Sequence, residues 1–187
     1  GGEGMMVELP EFAQTGLDEA TWDEACLAAS ERQVENSQLL LAQETLAAHS
    51  RWDGVYILSV LAGLETSVLI DAENNIYIDW GTAGQVTLQP PVGAKSPFKL
   101  WVHTHPDFAA YWSTTDTNSL SLGTMILETA MVLGEPGPKF TSNSTFNKQL
   151  KAPFISAEGP LSNWTNEEPT PWHSWYQSNN IAVEVDA

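Results

Sequence analysis

The spacing of apolar and polar positions in the first third of the chain predicts two helices. The first is predicted from Thr21 toward Glu35, because Thr21 and Glu24 have the spacing of a capping box. The second is capped by Asn36 or Ser37 and carries an apolar stripe at helical spacing. The stripe consists of Leu39, Leu40, Ala42, Gln43, Leu46 and Ala47. The N-terminal stretch before them, residues 1–17, is expected to be extended or disordered.

The middle of the chain changes to a β-rich pattern. Residues 55–62 are apolar enough for a buried strand or a short helix, and their periodicity does not decide between the two. Residues 66–71 and 76–80 are rich in β-formers and are joined by a turn-forming segment, which predicts a hairpin. A short strand is expected at residues 85–89. Residues 98–103 have the pattern of a central strand.

The second half of the chain is predicted to contain a loop, a helix and a polar tail. The central strand should end at Pro106, because proline cannot donate to a strand ladder. Apolar residues between positions 120 and 133 indicate a long helix that ends at Gly134. Residues 139–187 are polar and tryptophan-containing, with a last strand at 181–185. The order of elements predicts the α/β (α+β) class: one domain with a mixed β-sheet flanked by helices.

The charge and composition of the chain narrow the function classes. The 187 residues carry 7 Lys and Arg against 24 Asp and Glu, a formal net charge of −17 that disfavours a nucleic-acid partner. The single cysteine, Cys26, excludes an internal disulfide framework and a cysteine-based zinc knuckle. No apolar run reaches membrane-spanning length and no signal-peptide pattern is visible, so a cytoplasmic location is the default expectation. Oligomeric state is left open.

Four residues at the end of the central strand and in the segment that follows it have the chemistry of a metal site. His103 and His105 are separated by one residue, which places both rings on one face of a strand. Ser113 and Asp116 have the spacing of a helix cap, and Asp116 supplies a carboxylate as a third ligand. Two imidazoles and a carboxylate with an open fourth position make a catalytic zinc site. The alternatives are coincidence, a non-catalytic metal site and an ordinary helix cap, and the catalytic metal site is preferred to all three.

This pattern of residues resembles the signature of the JAMM (MPN+) zinc metalloprotease family. The matching motif is H-x-H-P followed by S-x-x-D, with seven residues between His105 and Ser113. The resemblance implies a prokaryotic-type JAB/MPN domain over residues 36–150, with the layering of cytidine deaminases. An acidic extension (1–35) with one helix would precede it and a segment (151–187) that packs on or extends it would follow. The implied activity is hydrolysis of peptide or isopeptide bonds, often at a ubiquitin-like tail.

The resemblance also assigns roles to the residues of the motif. It implies that His103, His105 and Asp116 bind Zn²⁺ and that Ser113 stabilises the tetrahedral intermediate. The family needs an upstream glutamate as the general base. Glu65, which opens the β-rich run, is preferred to Glu44, which is expected within a helix. The segment that begins at Glu65 is also similar to RadC-like proteins, a related branch of the fold.

The sequence also suggests a role for two aromatic residues and two alternative classes of function. Tyr111 and Trp112 directly precede Ser113, and they either line a substrate cleft or pack the loop onto the domain. A non-catalytic scaffold within a larger complex or a virus particle would retain the same motif. A RadC-like association with DNA is disfavoured by the net charge of −17.

Overall fold

The computed structural model describes residues 9–10, 15–151, 153–181 and 183–184. The helices are α1 (Glu19–Ser30), α2 (Ser37–Ala48), α3 (Trp52–Ala62), α4 (Thr114–Gly123) and α5 (Trp172–Ser178). The strands are β1 (Leu9–Pro10), β2 (Thr66–Ile70), β3 (Ile76–Trp80), β4 (Leu100–Ala109), β5 (Thr129–Glu135), β6 (Lys139–Ser142) and β7 (Val183–Glu184). Five of the strands form one mixed sheet with helices packed on it, which confirms the predicted α+β class.

The main sheet has the strand order β3-β2-β4-β5-β6. Strand β2 is antiparallel to both β3 and β4, β4 is parallel to β5, and β5 is antiparallel to β6. Strands β1 and β7 form a separate two-stranded sheet. The strand predicted to be central, β4, is the middle strand of the five, so its side chains reach both faces of the sheet.

Alternate residues of the central strands face two different hydrophobic clusters. Val68 of β2 and Val102 of β4 belong to the cluster that contains the buried residues of α1, α2, α3 and α5. Leu69 and Trp101, the adjacent residues, belong to the cluster that contains Leu120 of α4. Because side chains alternate along a strand, the odd-numbered residues of β4 lie on the α4 face.

The two N-terminal helices form, and only one of the predicted caps is correct. Helix α2 is capped by Asn36, whose side-chain oxygen accepts hydrogen bonds from the backbone N–H groups of Gln38 and Leu39. The expected Thr21 cap of α1 is wrong, because Asp18 caps that helix and accepts from the Thr21 N–H at 2.7 Å. Helix α1 also ends at Ser30, short of Glu35.

The ambiguous apolar segment at residues 55–62 forms most of helix α3. The helix begins at Trp52 and ends at Ala62, and its C-cap residue Gly63 adopts the left-handed conformation with φ of 66°. The predicted hairpin that follows it is confirmed as β2 and β3. Its turn is held by the buried Asp71 carboxylate, which accepts hydrogen bonds from the backbone N–H groups of Glu73 and Asn75. These contacts are local, which explains why the hairpin could be predicted.

Two predictions about strands are wrong. Residues 85–89 form no strand, although Val86 is buried. Strand β4 does not end at Pro106 but continues to Ala109. Its regular pairing with β5 does stop at Thr104 and resumes only at Ala109. The proline therefore lies where the ladder is interrupted, and its missing N–H removes no ladder hydrogen bond.

The long helix predicted between residues 120 and 133 is also wrong. Helix α4 ends at Gly123, and the apolar run from Thr129 onward is strand β5. A strand covered on both faces is a continuous apolar run, which periodicity does not distinguish from a buried helix. Pairing of β5 with β4, which is distant in sequence, decides the outcome.

The polar C-terminal segment, residues 139–187, contributes strand β6, helix α5 and buried tryptophans. Trp164 is fully buried, and its indole N–H donates to the Leu120 carbonyl of α4 at 3.1 Å. Trp172 and Trp175 of α5 are buried in the same cluster as α1, α2 and α3. Of the last strand predicted at 181–185, Val183–Glu184 form β7, Ile181 is not in a strand, and residues 182 and 185–187 lie outside the described residues. In the described part of the chain, no helix has the length and apolar character needed to cross a membrane.

Candidate metal centre

Strand β4 places two histidines on the α4 face of the sheet. His103 is paired with Ser67 of β2 on one side and with Val132 of β5 on the other. His105 lies two residues later and is on the same face. Both imidazoles are buried, with exposed fractions of 0% and 1%. The two-residue spacing of the histidines in the sequence therefore produces the shared face that was predicted.

Helix α4 provides the third side chain through its first turn. Ser113 is the N-cap, and its hydroxyl oxygen accepts a hydrogen bond from the Asp116 N–H at 3.1 Å. In return, Asp116 Oδ2 accepts from the Ser113 N–H at 2.9 Å, which completes a capping box. The cap fixes the carboxylate of Asp116 above the two histidines.

The three side chains converge on one point. Asp116 Oδ2 lies 3.0 Å from His103 Nε2 and 3.3 Å from His105 Nε2. One ligand atom from each residue can be chosen so that all three lie within 4.8 Å of one another. Two imidazole nitrogens and a carboxylate oxygen form a donor set that suits zinc.

The hydrogen bonds of the histidines fit a bound cation. Neither ring nitrogen of the buried His103 has a hydrogen-bond partner within the described residues, despite its approach to Asp116. His105 Nδ1 lies 2.8 Å from the Ala109 carbonyl, to which it can donate its proton. That tautomer leaves a lone pair on Nε2, the nitrogen beside Asp116. Metal-binding histidines are commonly oriented in this way by a backbone carbonyl.

The electrostatics of the three residues are strongly coupled. Burial lowers the pKa of His103, against the opposing effect of Asp116. Burial also acts to lower the pKa of His105, but its contacts with Asp116 and the Ala109 carbonyl outweigh burial and raise it. For Asp116, the contacts with both imidazoles and the Ser113 N–H overcome burial and hold the pKa well below its usual range. The carboxylate is therefore ionised at neutral pH, as a metal ligand must be.

Glu65 lies immediately before β2 and faces the same side of the sheet as the histidines. Its N–H donates to the Thr82 carbonyl at 2.7 Å, and its carbonyl accepts from the Gly81 N–H at 2.8 Å. The side chain is only 3% exposed. Burial and the negative charge of Asp116 raise the pKa of Glu65 to about 7, although His105 opposes this. A carboxyl group with this pKa can accept and release a proton near neutral pH.

The remaining residues predicted from the sequence take different places. Glu44 is exposed on α2, where it lines a cavity beside strand β3 together with Leu40 and Tyr77. Tyr111 is 49% exposed, and its ring meets that of His105 edge to face with 5.1 Å between centroids. Trp112 is partly buried against the α4-face cluster, with its ring centroid 6.0 Å from that of His103.

Three further residues contact the histidines and were not predicted. Trp101 stacks on His103 with 4.5 Å between ring centroids, and Phe108 stacks on His105 at the same separation. The third is Ala109, through its carbonyl oxygen. Trp101 could have been found from its two-residue spacing to His103. The roles of Phe108 and Ala109 depend on the bend after Pro106, where Asp107 has a positive φ of 63°.

The fold and the site together define an α+β protein with a buried histidine–histidine–aspartate grouping that could hold a metal ion. No family model, curated protein or solved structure matches the chain.

Proposed function

We propose that the protein is a zinc-dependent hydrolase of the JAMM type that cleaves peptide or isopeptide bonds. The observation that carries the proposal is the convergence of His103, His105 and Asp116, with Glu65 buried on the same face of the sheet. The partnerless Nε2 of the buried His103, which lies beside Asp116, supports a cation at that point. The sequence resemblance supplies the class of reaction.

The chain's own residues would divide the work of hydrolysis. Zinc held by His103, His105 and Asp116 would polarise the substrate carbonyl and lower the pKa of a coordinated water toward about 7. Glu65 would remove a proton from the attacking water and deliver it to the nitrogen of the leaving amine as the carbon–nitrogen bond breaks. The Ser113 hydroxyl already accepts from the Asp116 N–H, so its own proton is available to donate to the developing oxyanion.

The substrate proposed for this site is a protein tail, ubiquitin-like or otherwise. Tyr111 offers an exposed aromatic ring 5.1 Å from His105, where an extended peptide could pack. The net charge of −17 favours a substrate surface that carries basic residues.

Zinc quantification combined with a cleavage assay tests the proposal. The purified protein is expected to contain one zinc per chain and to cleave ubiquitin-like fusions, with loss of cleavage in a chelator. His105→Ala should lose both zinc and cleavage, whereas Glu65→Gln should keep zinc and lose cleavage. His173→Ala is the matched control, because His173 is exposed on α5. Full cleavage by the metal-free protein or by Glu65→Gln would contradict the mechanism.

One observation favours a second candidate, a non-catalytic scaffold with a structural metal. The side chains of His103, His105 and Asp116 are at most 2% exposed, which leaves a substrate little access to a metal ion held by them. A scaffold would bind zinc with the same three residues but would cleave no fusion. Zinc bound stoichiometrically without cleavage of any ubiquitin-like or peptide substrate would favour the scaffold.

A further inference from the structure

A chain of hydrogen bonds ties the segment that carries Glu65 to strand β4 without using a metal ligand. The Thr66 N–H donates to Thr104 Oγ1 at 2.8 Å, and Thr104 Oγ1 lies 2.5 Å from Ser59 Oγ. Ser59 Oγ donates to the Leu64 carbonyl at 2.6 Å. These hydrogen bonds therefore involve Leu64 and Thr66, the residues on the two sides of Glu65.

The direction of these hydrogen bonds follows from the number of protons available. Each hydroxyl has one proton. Ser59 uses its proton for the Leu64 carbonyl, so Thr104 must donate to Ser59, and Thr104 in turn accepts from Thr66. Each donor therefore has one acceptor, and donation runs from the Thr66 N–H through the hydroxyls of Thr104 and Ser59 to the Leu64 carbonyl. Ser59 and Thr104 have exposed fractions of 0%, so water does not compete for these groups.

The position of Thr104 in β4 connects these hydrogen bonds to the strand that carries both histidines. Thr104 lies between His103 and His105, and its side chain points to the opposite face of the strand, toward α3. The strand that presents two ligands on one face thus anchors the Glu65 segment from the other face. A short, buried path of hydrogen bonds therefore links the residues beside Glu65 to the strand that carries both histidines.

We propose that Ser59 and Thr104 are positioning residues that hold Glu65 at its working distance from the metal centre. We call these hydrogen bonds of Ser59 and Thr104 the anchor. The inference rests on the proposed function, because the anchor is proposed to position Glu65, the general base of that reaction. Neither hydroxyl touches the substrate; both act through the backbone of residues 64–66. A misplacement of about 1 Å in a reacting group can reduce a rate about 100-fold.

Thr104→Val tests the proposal, because valine has a similar shape and no hydroxyl. We expect this variant to keep stoichiometric zinc, since His103, His105 and Asp116 retain their own contacts, and to lose about 10- to 100-fold in kcat. Thr104→Ser restores the hydroxyl and should return kcat to within about threefold of the wild type. Ser59→Ala, which removes the second hydroxyl, should resemble Thr104→Val.

Thr141→Val is the matched control for the loss of a buried threonine hydroxyl. Thr141 is 0% exposed in β6 and donates to the Thr165 carbonyl at 2.6 Å, away from the metal centre. Its substitution should lower the melting temperature as much as Thr104→Val does. Its kcat should stay within about twofold of the wild type.

Amide hydrogen exchange on the zinc-free proteins provides a readout that does not depend on cleavage. If the anchor holds the segment, Thr104→Val should accelerate exchange at both Glu65 and Thr66 by at least about tenfold. Exchange at Glu65 is the decisive value, because its N–H donates to Thr82 and not to Thr104. The amides of β5 should be unchanged in the same variant.

Several results would overturn the positioning role. These are unchanged exchange at Glu65, full kcat in Thr104→Val, loss of zinc in proportion to the loss of cleavage, and an equal loss of kcat in Thr141→Val. Failure of the proposed function has a different signature, since the wild type would cleave nothing. If Thr104→Val then still accelerated exchange at Glu65, the anchor would stand without the reaction.

Discussion

At the scale of single residues, Glu65 is held in an environment that opposes its charge. Glu65 is 3% exposed and lies near the negative charge of Asp116, so burial and this charge raise the pKa of its carboxyl group from an ordinary value of 4.5 to about 7. Between these two pH values the folded protein binds more protons at Glu65 than the unfolded chain does. Stability from this group is therefore fully present below pH 4.5 and is lost as the pH rises through 7.

Glu65→Gln should stabilise the metal-free protein at alkaline pH. Glutamine is neutral, so at pH 8 the variant avoids a penalty of up to about 3 kcal/mol that the ionised carboxylate imposes on the folded state. The measurement is urea unfolding of both proteins in chelator at pH 4 and pH 8. The difference should be small at pH 4, where the carboxyl group is protonated in the folded state and mostly protonated in the unfolded state. A less stable variant at pH 8 would show that the carboxylate has a favourable partner.

At the scale of secondary-structure elements, the first turn of α4 combines capping with ligation. The Ser113 hydroxyl accepts the Asp116 N–H, and Asp116 Oδ2 accepts the Ser113 N–H while lying beside both histidines. A cap is a local interaction, which is why the spacing of Ser113 and Asp116 predicted it. Orientation of the carboxylate toward β4 needs the packing of α4 on the sheet.

Ser113→Ala should weaken α4 and the proposed reaction through different interactions. Loss of the cap should lower the free energy of unfolding by about 1 kcal/mol. Loss of the hydroxyl should lower kcat by about 100-fold or more if it donates to the oxyanion. Urea unfolding and the cleavage assay measure the two effects separately. Ser113→Thr is the control, because it keeps the cap and should recover the stability. Wild-type kcat in Ser113→Ala would remove the serine from the mechanism.

At the scale of the whole molecule, segments from both ends of the chain form one core. Ala25 of α1, Val102 of β4 and Trp172 of α5 belong to the same cluster of buried residues. On the other face, Trp164 binds the Leu120 carbonyl of α4 through its indole N–H. The sequence divided the chain at residues 35 and 150, a prediction that a truncation can test.

A chain that ends at residue 150 should lose the cooperative unfolding transition. It lacks Trp164, Trp172 and Trp175, which are buried against elements from the rest of the chain, and deleting one such side chain costs roughly 3–5 kcal/mol. Differential scanning calorimetry gives the result directly. A chain that ends at residue 181 keeps all three tryptophans and is the control. An unchanged melting temperature for the shorter chain would establish residues 151–187 as a separate appendage.

The sequence determined the features that depend on neighbouring residues. The cap at Asn36, the hairpin of β2 and β3, and the two-residue spacing of His103 and His105 follow from local geometry. The motif of His103, His105 and Asp116 predicted the three side chains that the structure brings together. Short-range patterns carry this information because the turn, the cap and the strand alternation each involve only a few consecutive residues.

Tertiary structure alone decided the features that depend on distant segments. Residues 129–135 form a strand because β4 offers a parallel partner, and the C-terminal segment packs on the domain because Trp164 and Trp172 are buried against other elements. The link from Thr104 to Ser59 joins residues 45 positions apart. Burial removes water and raises the free-energy cost of an unpaired polar group. Which segments become strands and which side chains become buried therefore depends on which surfaces meet in the folded chain.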